Sequence, residues 1–255
     1  MALFTDGPPS CMEDLSAQDS QILDIANVEG IDVTQKLRLA HEEVGIQLYS
    51  LLATFNCMDQ TFWLQPKPNI ATVVVTPPLK LWHTYRTLEM FYADAYNSQL
   101  NDRYAGRRDQ FHDLGKWAYE KLLQIGLGRV TLPLAQAATP AATATAGDAL
   151  PDGTYYATMA WVNRIGEEGA AAPPVDVTTM GNTILVQPGS VPVNATGWNV
   201  YVGTDPGALI RQNDAPIGAG GNWLQYVPLT TVGQQPGLGQ TPNTIQPVPR
   251  VLQRG

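Results

Sequence analysis

Three histidines and two cysteines are the residues most able to do chemistry in this chain, and their spacing decides what they could do. His41-Glu42-Glu43 carries the first half of a helical zinc-protease pattern, in which two histidines one turn apart face a metal and a glutamate between them activates water. The second histidine would stand at position 45, which is Gly45, so the metal reading fails. His83 and His112 are equally alone and read as surface or packing residues of their helices. Ser, His and Asp all occur, but without the Gly-x-Ser-x-Gly spacing of a nucleophile elbow. Gly218, Gly220 and Gly221 follow no strand–loop–helix context and read as a β-turn, not as a phosphate loop. Cys11 and Cys57 lack the paired spacing of a disulfide framework or a zinc site and read as free thiols in a reducing compartment. The expectation is a non-enzyme with no catalytic residue, no cofactor and no metal.

The remaining side chains with something to offer are suited to interfaces. Arg103, Arg107 and Arg108 form the one basic cluster, with 103 and 107 a turn apart on one face. Either they pair with Asp102, Asp109 and Asp113 for tenths of a kcal/mol each, or their guanidinium forks reach another subunit. Trp82, Tyr85, Phe91 and Tyr92, followed by Tyr96 and Tyr104, place aromatics around more than one face of a helix. One apolar stripe is enough for an amphipathic helix, so the surplus implies either a second packing surface between subunits or a helix central to its own domain.

Composition bounds the partners. The chain has 255 residues, a formal charge of −8, 44% apolar residues and only 15% charged ones, with 23 Gly and 20 Pro. Up to residue 130 there are eleven Lys/Arg against sixteen Asp/Glu, and beyond it four against seven, so the acidity is shared as −5 and −3. No basic stripe exists of the kind that phosphate-backbone binding needs, which argues against tight nucleic-acid binding. No window approaches a membrane span and no basic-then-apolar leader opens the chain, so a soluble protein made in the cytosol is expected.

The elements that must position these residues follow from periodicity. Ser10 with Glu13 makes a capping box before Leu15, Ile22 and Ile25, with a stop at Gly30. Asp32 with Gln35 caps a second helix whose apolar positions Val33, Leu37, Ala40, Val44, Leu48, Leu51 and Phe55 step by three or four. Pro66 and Pro68 bracket a loop, Ala71 to Val75 is β-prone, and Thr76-Pro77 starts a third helix on Leu81, Tyr85, Leu88, Tyr92 and Ala95. Phe111, Leu114, Ala118, Leu122 and Ile125 define a fourth, and residues 97–103 either break it from the third or let one long helix bend. Residues 135–149 are nearly all Ala, Thr, Pro and Gly and read as a linker. Strands are expected at 154–163, 175–178, 183–186, 198–203 and 222–227, with a hairpin at Asn163 to Gly166. The fold class is thus an N-terminal α-helical bundle followed by a C-terminal antiparallel β-sandwich. Its parts are a helical domain over 1–134, the linker, a sandwich over 150–240, and a proline-bearing tail over 241–255 that is either disordered or laid on a partner.

Phe91-Tyr-Ala-Asp-Ala-Tyr-Asn-Ser-Gln-Leu-Asn-Asp-Arg-Tyr104 and Trp117-Ala-Tyr-Glu-Lys-Leu-Leu-Gln-Ile-Gly126 resemble the head-to-tail adaptor, or connector, proteins of tailed bacteriophages, over roughly residues 10–134. Tyr155 to Glu167 and Gly197-Trp-Asn-Val-Tyr-Val-Gly-Thr-Asp-Pro206 are similar to the immunoglobulin or fibronectin type III modules appended to phage virion proteins, over about 150–240. The resemblance implies a structural virion protein, assembled in the host cytoplasm into a ring, typically of twelve copies, at the head–tail junction. Such a ring sits between the portal protein and the tail or nozzle proteins and continues the DNA channel without sequence-specific binding and without a membrane. The interface residues expected on this reading are Trp82, Tyr85, Phe91, Tyr92, Arg103, Arg107, Arg108, Arg250 and Arg254, with residues 246–255 docking onto a neighbouring ring protein. The alternative is a carbohydrate- or cell-surface-binding module that stacks its ligand on Trp161, Trp198 and Trp223.

Overall fold

The computed structural model describes residues 1–56, 69–99, 102–147 and 150–246. In chain order it contains helices α1 (Met12–Gln18), α2 (Ile22–Glu29), α3 (Val33–Asn56), α4 (Pro77–Gln99) and α5 (Ala105–Ile125). The strands follow as β1 (Leu127–Arg129), β2 (Ala141–Thr145), β3 (Gly153–Asn163), β4 (Val175–Thr179), β5 (Thr183–Gln187), β6 (Ala195–Gly203), β7 (Ile210–Arg211), β8 (Ile217–Gly218), β9 (Trp223–Leu224) and β10 (Asn243–Ile245). Helices in the first half and antiparallel sheets in the second make the chain a two-part α+β protein.

The chain divides into a helical unit, residues 7–129 with 243–255, and a β unit, residues 1–6 with 130–242. These boundaries differ from the expected ones. Leu3 and Phe4 are buried in the β unit, where Asp6 accepts from the Gln136 amide at 3.0 Å, so the first six residues leave the helices. Ala141–Thr145 is a strand paired with β5 along five residues, not a linker. Its Ala-Thr sequence carries no hydrophobic signal because the backbone ladder to β5 holds it. The tail also differs: Asn243–Ile245 pairs antiparallel with β1 of its own chain, and residues 247–255 lie outside the described residues.

In the helical unit α4 is the axis. It packs against α1, α3 and α5, and no position from Pro78 to Tyr96 is exposed. Its core therefore runs all round, through Leu79, Trp82, Tyr85, Leu88, Phe91, Tyr92 and Ala95, with Leu81 only half-buried. Tyr85 against Phe111 and Gly115, and Trp82 against Tyr119, fix α4 and α5 as an antiparallel hairpin of two helices, the first reaching Gln99 and the second starting at Ala105. On α3 the stripe Val33, Leu37, Ala40, Val44 and Leu48 is buried as expected but continues through Leu52, leaving Leu51 half-buried; the side chain of Phe55 is outside the described residues. On α5 Phe111, Ala118 and Leu122 are buried, Leu114 is half-buried, and Ile125 is exposed. The Asp32 carboxylate caps α3 through the Gln35 amide at 3.1 Å, and Gly30 ends α2 at φ 68°, where only glycine is unstrained. The first cap is shifted from its expected place: Asp14, not Glu13, accepts from the Cys11 amide at 2.9 Å, because the Ser10 hydroxyl is engaged elsewhere. The Thr76 carbonyl starts α4 through the Lys80 amide, while its hydroxyl is buried without a partner.

Ser10 is engaged by His83, which is fully buried on α4. The Leu37 carbonyl, 3.2 Å from Nε2, can only accept, so Nε2 carries the proton and Nδ1 accepts from the Ser10 hydroxyl at 2.5 Å. A single imidazole thereby ties the entry of α1, the N-terminal part of α3 and α4 together. Burial pushes its pKa down from 6.5 to about 4, against the smaller opposing effect of the Leu37 carbonyl.

The β unit is a sandwich of a three-stranded sheet, β2-β5-β9, and a larger sheet, β4-β3-β6-β7 with β8 also on β6. Met159, Trp161, Trp198 and Val200 of one sheet meet Ile184 and Val186 of the other in a shared core. The opposite face of the larger sheet is also covered at its centre, where Ala160, Tyr201 and Leu209 cluster and Glu168 accepts from Tyr201 at 2.5 Å and Asn199 at 3.1 Å. The hairpin after β3 forms as expected: the Asn163 side chain accepts from Ile165 and Glu167 amides, and Gly166 takes φ 84°. Gly221 donates to the Gly218 carbonyl at 2.8 Å, which makes the glycine-rich stretch a turn. Gln240 closes the unit, accepting from the Leu134 amide and donating to the Leu132 carbonyl and Glu167, at 2.7, 2.9 and 2.8 Å.

Two outcomes follow. The folded-state pKa of His83 lies below 6.5, so the unfolded chain takes the proton first; its contribution is intact above pH 6.5 and drains as pH falls toward 4, by about 1.4 kcal/mol per pH unit. Urea unfolding at pH 7, 6 and 5 measures this slope, and a flat profile contradicts the neutral buried imidazole. Gln240→Ala leaves buried groups unsatisfied and lowers the stability of the sandwich by roughly 1–3 kcal/mol in tryptophan-detected unfolding.

Candidate interaction surfaces

The residues expected to form an interface fall into three groups. Trp82, Tyr85, Phe91 and Tyr92 are all buried inside the helical unit. Tyr92 stacks on Phe111 at 5.6 Å, meets Phe91 edge-on at 5.2 Å, and donates a hydrogen bond to Asp19. Burial, and then Asp19, push the Tyr92 phenol well above its ordinary pKa. Tyr85 donates to Gln18 and Tyr104 to Glu29, so the polar ends of these rings hold α1 and α2 onto the hairpin. This corrects the expectation of an intersubunit surface on these aromatics: they surround α4 because α4 is the centre of its own domain.

Arg103, Arg107 and Arg108 sit together on the surface where α4 turns into α5. Arg108 lies 5.2 Å from the Tyr96 ring and pairs with Asp109 at 2.8 Å; Arg103 lies 5.1 Å from the Tyr104 ring; Arg107 reaches Gln110 at 3.5 Å. Arg103 and Arg107 are both exposed, and the head of Arg107 can reach a partner. Arg250 and Arg254 lie outside the described residues.

The zinc-like sequence dissolves into ordinary contacts. Glu43 pairs with Arg86 at 2.8 Å, Arg86 reaches Glu89 at 2.6 Å, and Glu89 accepts from or pairs with His112 at 2.9 Å. Among the described residues no group of His, Cys, Asp and Glu is arranged to hold a metal ion, and no helix is long and apolar enough to cross a membrane. The stacking platforms of the carbohydrate reading are also accounted for. Trp161 and Trp198 face each other across β3 and β6 at the centre of the sandwich, and Trp223 is half-buried against the same core. That reading loses the exposed indoles it needs.

A further surface was hidden from periodicity. Leu39 and Ile46 stand two turns apart on α3, and Ile46 is 69% exposed. With Met90 and Ala93 of α4 they line an open groove of about 470 Å³. Glu42 and the Lys36–Asp94 pair, 2.6 Å apart, stand at its rim. The sequence signal was present in Leu39 and Ile46, which fall off the Val33–Leu48 stripe and so have no role in the domain's own core.

Core and surface roles separate cleanly in stability measurements. Phe91→Ala lowers the unfolding free energy by about 3–5 kcal/mol through the cavity it leaves, whereas Arg107→Glu changes it by no more than about 0.5 kcal/mol. A neutral Phe91→Ala contradicts the placement of that ring. In comparison with known proteins, no protein-family model, no curated protein and no solved structure matches this chain.

Proposed function

We propose that this chain is a structural, non-enzymatic subunit of a tailed-bacteriophage head–tail adaptor ring, placed between portal and tail, through which DNA passes without sequence-specific binding. The observation that carries the reading is the contrast within the helical unit: the aromatic core of α4 is buried by its own domain, yet Leu39 and Ile46 on α3 stay exposed beside the half-buried Met90. An apolar row with no intramolecular use is suited to another copy. The arginine cluster, between α4 and α5, is a second and chemically unlike patch, and unlike patches on one molecule suit the head-to-tail contacts from which rings are closed. The net charge of −8 fits a channel that must not hold a polyanion.

The interface residues in this reading are Ile46, Leu39, Arg103 and Arg107, with the buried aromatics acting only through the stability of the unit. Light scattering and negative-stain microscopy of the full chain, alone and with a portal ring, test it. The expected result is a many-copy ring with an axial opening, weakened about tenfold or more in assembly concentration by Ile46→Asp, with the circular dichroism unchanged. A monomer in both conditions contradicts the reading.

A further inference from the structure

The β unit carries a cleft of its own. It encloses about 410 Å³, and its lining includes Leu150, Tyr155, Val202, Ile210, Leu229 and Thr231. That volume lies within the roughly 300–1,000 Å³ of ligand-binding clefts. None of its lining residues carries a carboxylate, ammonium, guanidinium or imidazole, and the Tyr155 hydroxyl is already donated to the Pro151 carbonyl at 3.3 Å. A charge placed inside would find no partner, so the cleft selects an apolar, uncharged group. Its surroundings are acidic: Asp152 and Asp205, both exposed, directly follow the lining residues Pro151 and Thr204. Arg211, next to the lining residue Ile210 on β7, alternates to the other face of the strand and donates to the Asp214 carbonyl.

The chain itself contains a segment of matching chemistry. Gln246-Pro-Val-Pro-Arg-Val-Leu-Gln-Arg-Gly255 alternates prolines and aliphatic residues with two arginines and has no acid. Pro-Val-Pro favours the extended polyproline conformation, which lowers the ordering entropy lost on docking. Its ten residues span at most about 35 Å when fully extended. We propose that the cleft lined by Tyr155, Ile210 and Leu229 receives the Pro247–Leu252 segment of a second copy, with the aliphatic side chains inside and Arg250 facing Asp152 and Asp205. Choosing a second copy as the donor rests on the ring reading above.

The test uses the full-length chain carrying Val251→Asp and Leu252→Asp, so that its own segment does not compete. A fluorescein-labelled peptide of residues 246–255 is added, and anisotropy is followed with increasing protein. Saturable binding is expected, weakened about tenfold or more when Ala208→Trp plugs the cleft, with thermal melting unchanged. No saturation by about 1 mM protein, equal binding to the Ala208→Trp chain, or equal binding of a scrambled peptide overturns the assignment. Light scattering of the unmutated chain, alone and on a portal, separates the two readings. Rings without peptide binding overturn the cleft assignment and leave the adaptor reading in place; peptide binding without rings, alone or on a portal, sustains the cleft and overturns the adaptor.

Discussion

The helical unit depends on the desolvation of α4. No position of α4 from Pro78 to Tyr96 is exposed, so its buried polar groups need partners from a neighbouring element or from its own backbone. Thr84 and Thr87 return their hydroxyls to the carbonyls of Lys80 and His83. His83 takes Ser10 and Leu37, Tyr92 takes Asp19, and Arg86 takes Glu43 and Glu89. Apart from Glu89 and the backbone of α4 itself, those partners come from α3 and from Ser10 and Asp19, which flank α1, so satisfying α4 fixes how α1 and α3 lie against it. The short helices α1 and α2 have too few turns to be stable alone and owe their position to these bonds.

The β unit solves the same problem with a sheet. β3 and β6 are covered on one face by the β2-β5-β9 sheet and on the other by the segment carrying Glu168 and Ala171. Polar residues inside are consequently paired in a chain running from Tyr201 and Asn199 through Glu168 and Asn213. Gln240 does for the unit's edge what His83 does for the bundle, satisfying groups from segments far apart in sequence.

Much of this was legible in the residues. The α3 stripe, the Asp32 cap, the Gly30 stop, the β3 hairpin and the main strands all rest on local signals of period or turn chemistry. What was not legible depends on long-range partners. β2 is held by pairing to β5 and has no apolar alternation; β10 is three residues whose meaning is β1, more than a hundred positions earlier. The aromatics of α4 look like a surplus in the sequence, because a sequence shows that a helix has several apolar faces but not whether its own domain covers them. The groove beside Ile46 escaped for the complementary reason, since two apolar residues off the main stripe look like ordinary surface.

An interior that is self-sufficient leaves function to the outside: the aromatic core of α4, from Trp82 to Ala95, is buried before any partner arrives. Hydrogen exchange of the isolated chain, resolved by helix, tests it most directly. The account predicts that the amides of α4 from Trp82 to Ala95 exchange last in the helical unit, at the rate of its global unfolding, at concentrations where the chain is dispersed. Exchange of α4 as fast as that of the exposed flank of α3, slowing only on self-association, would contradict it and return the aromatic face to the subunit interface.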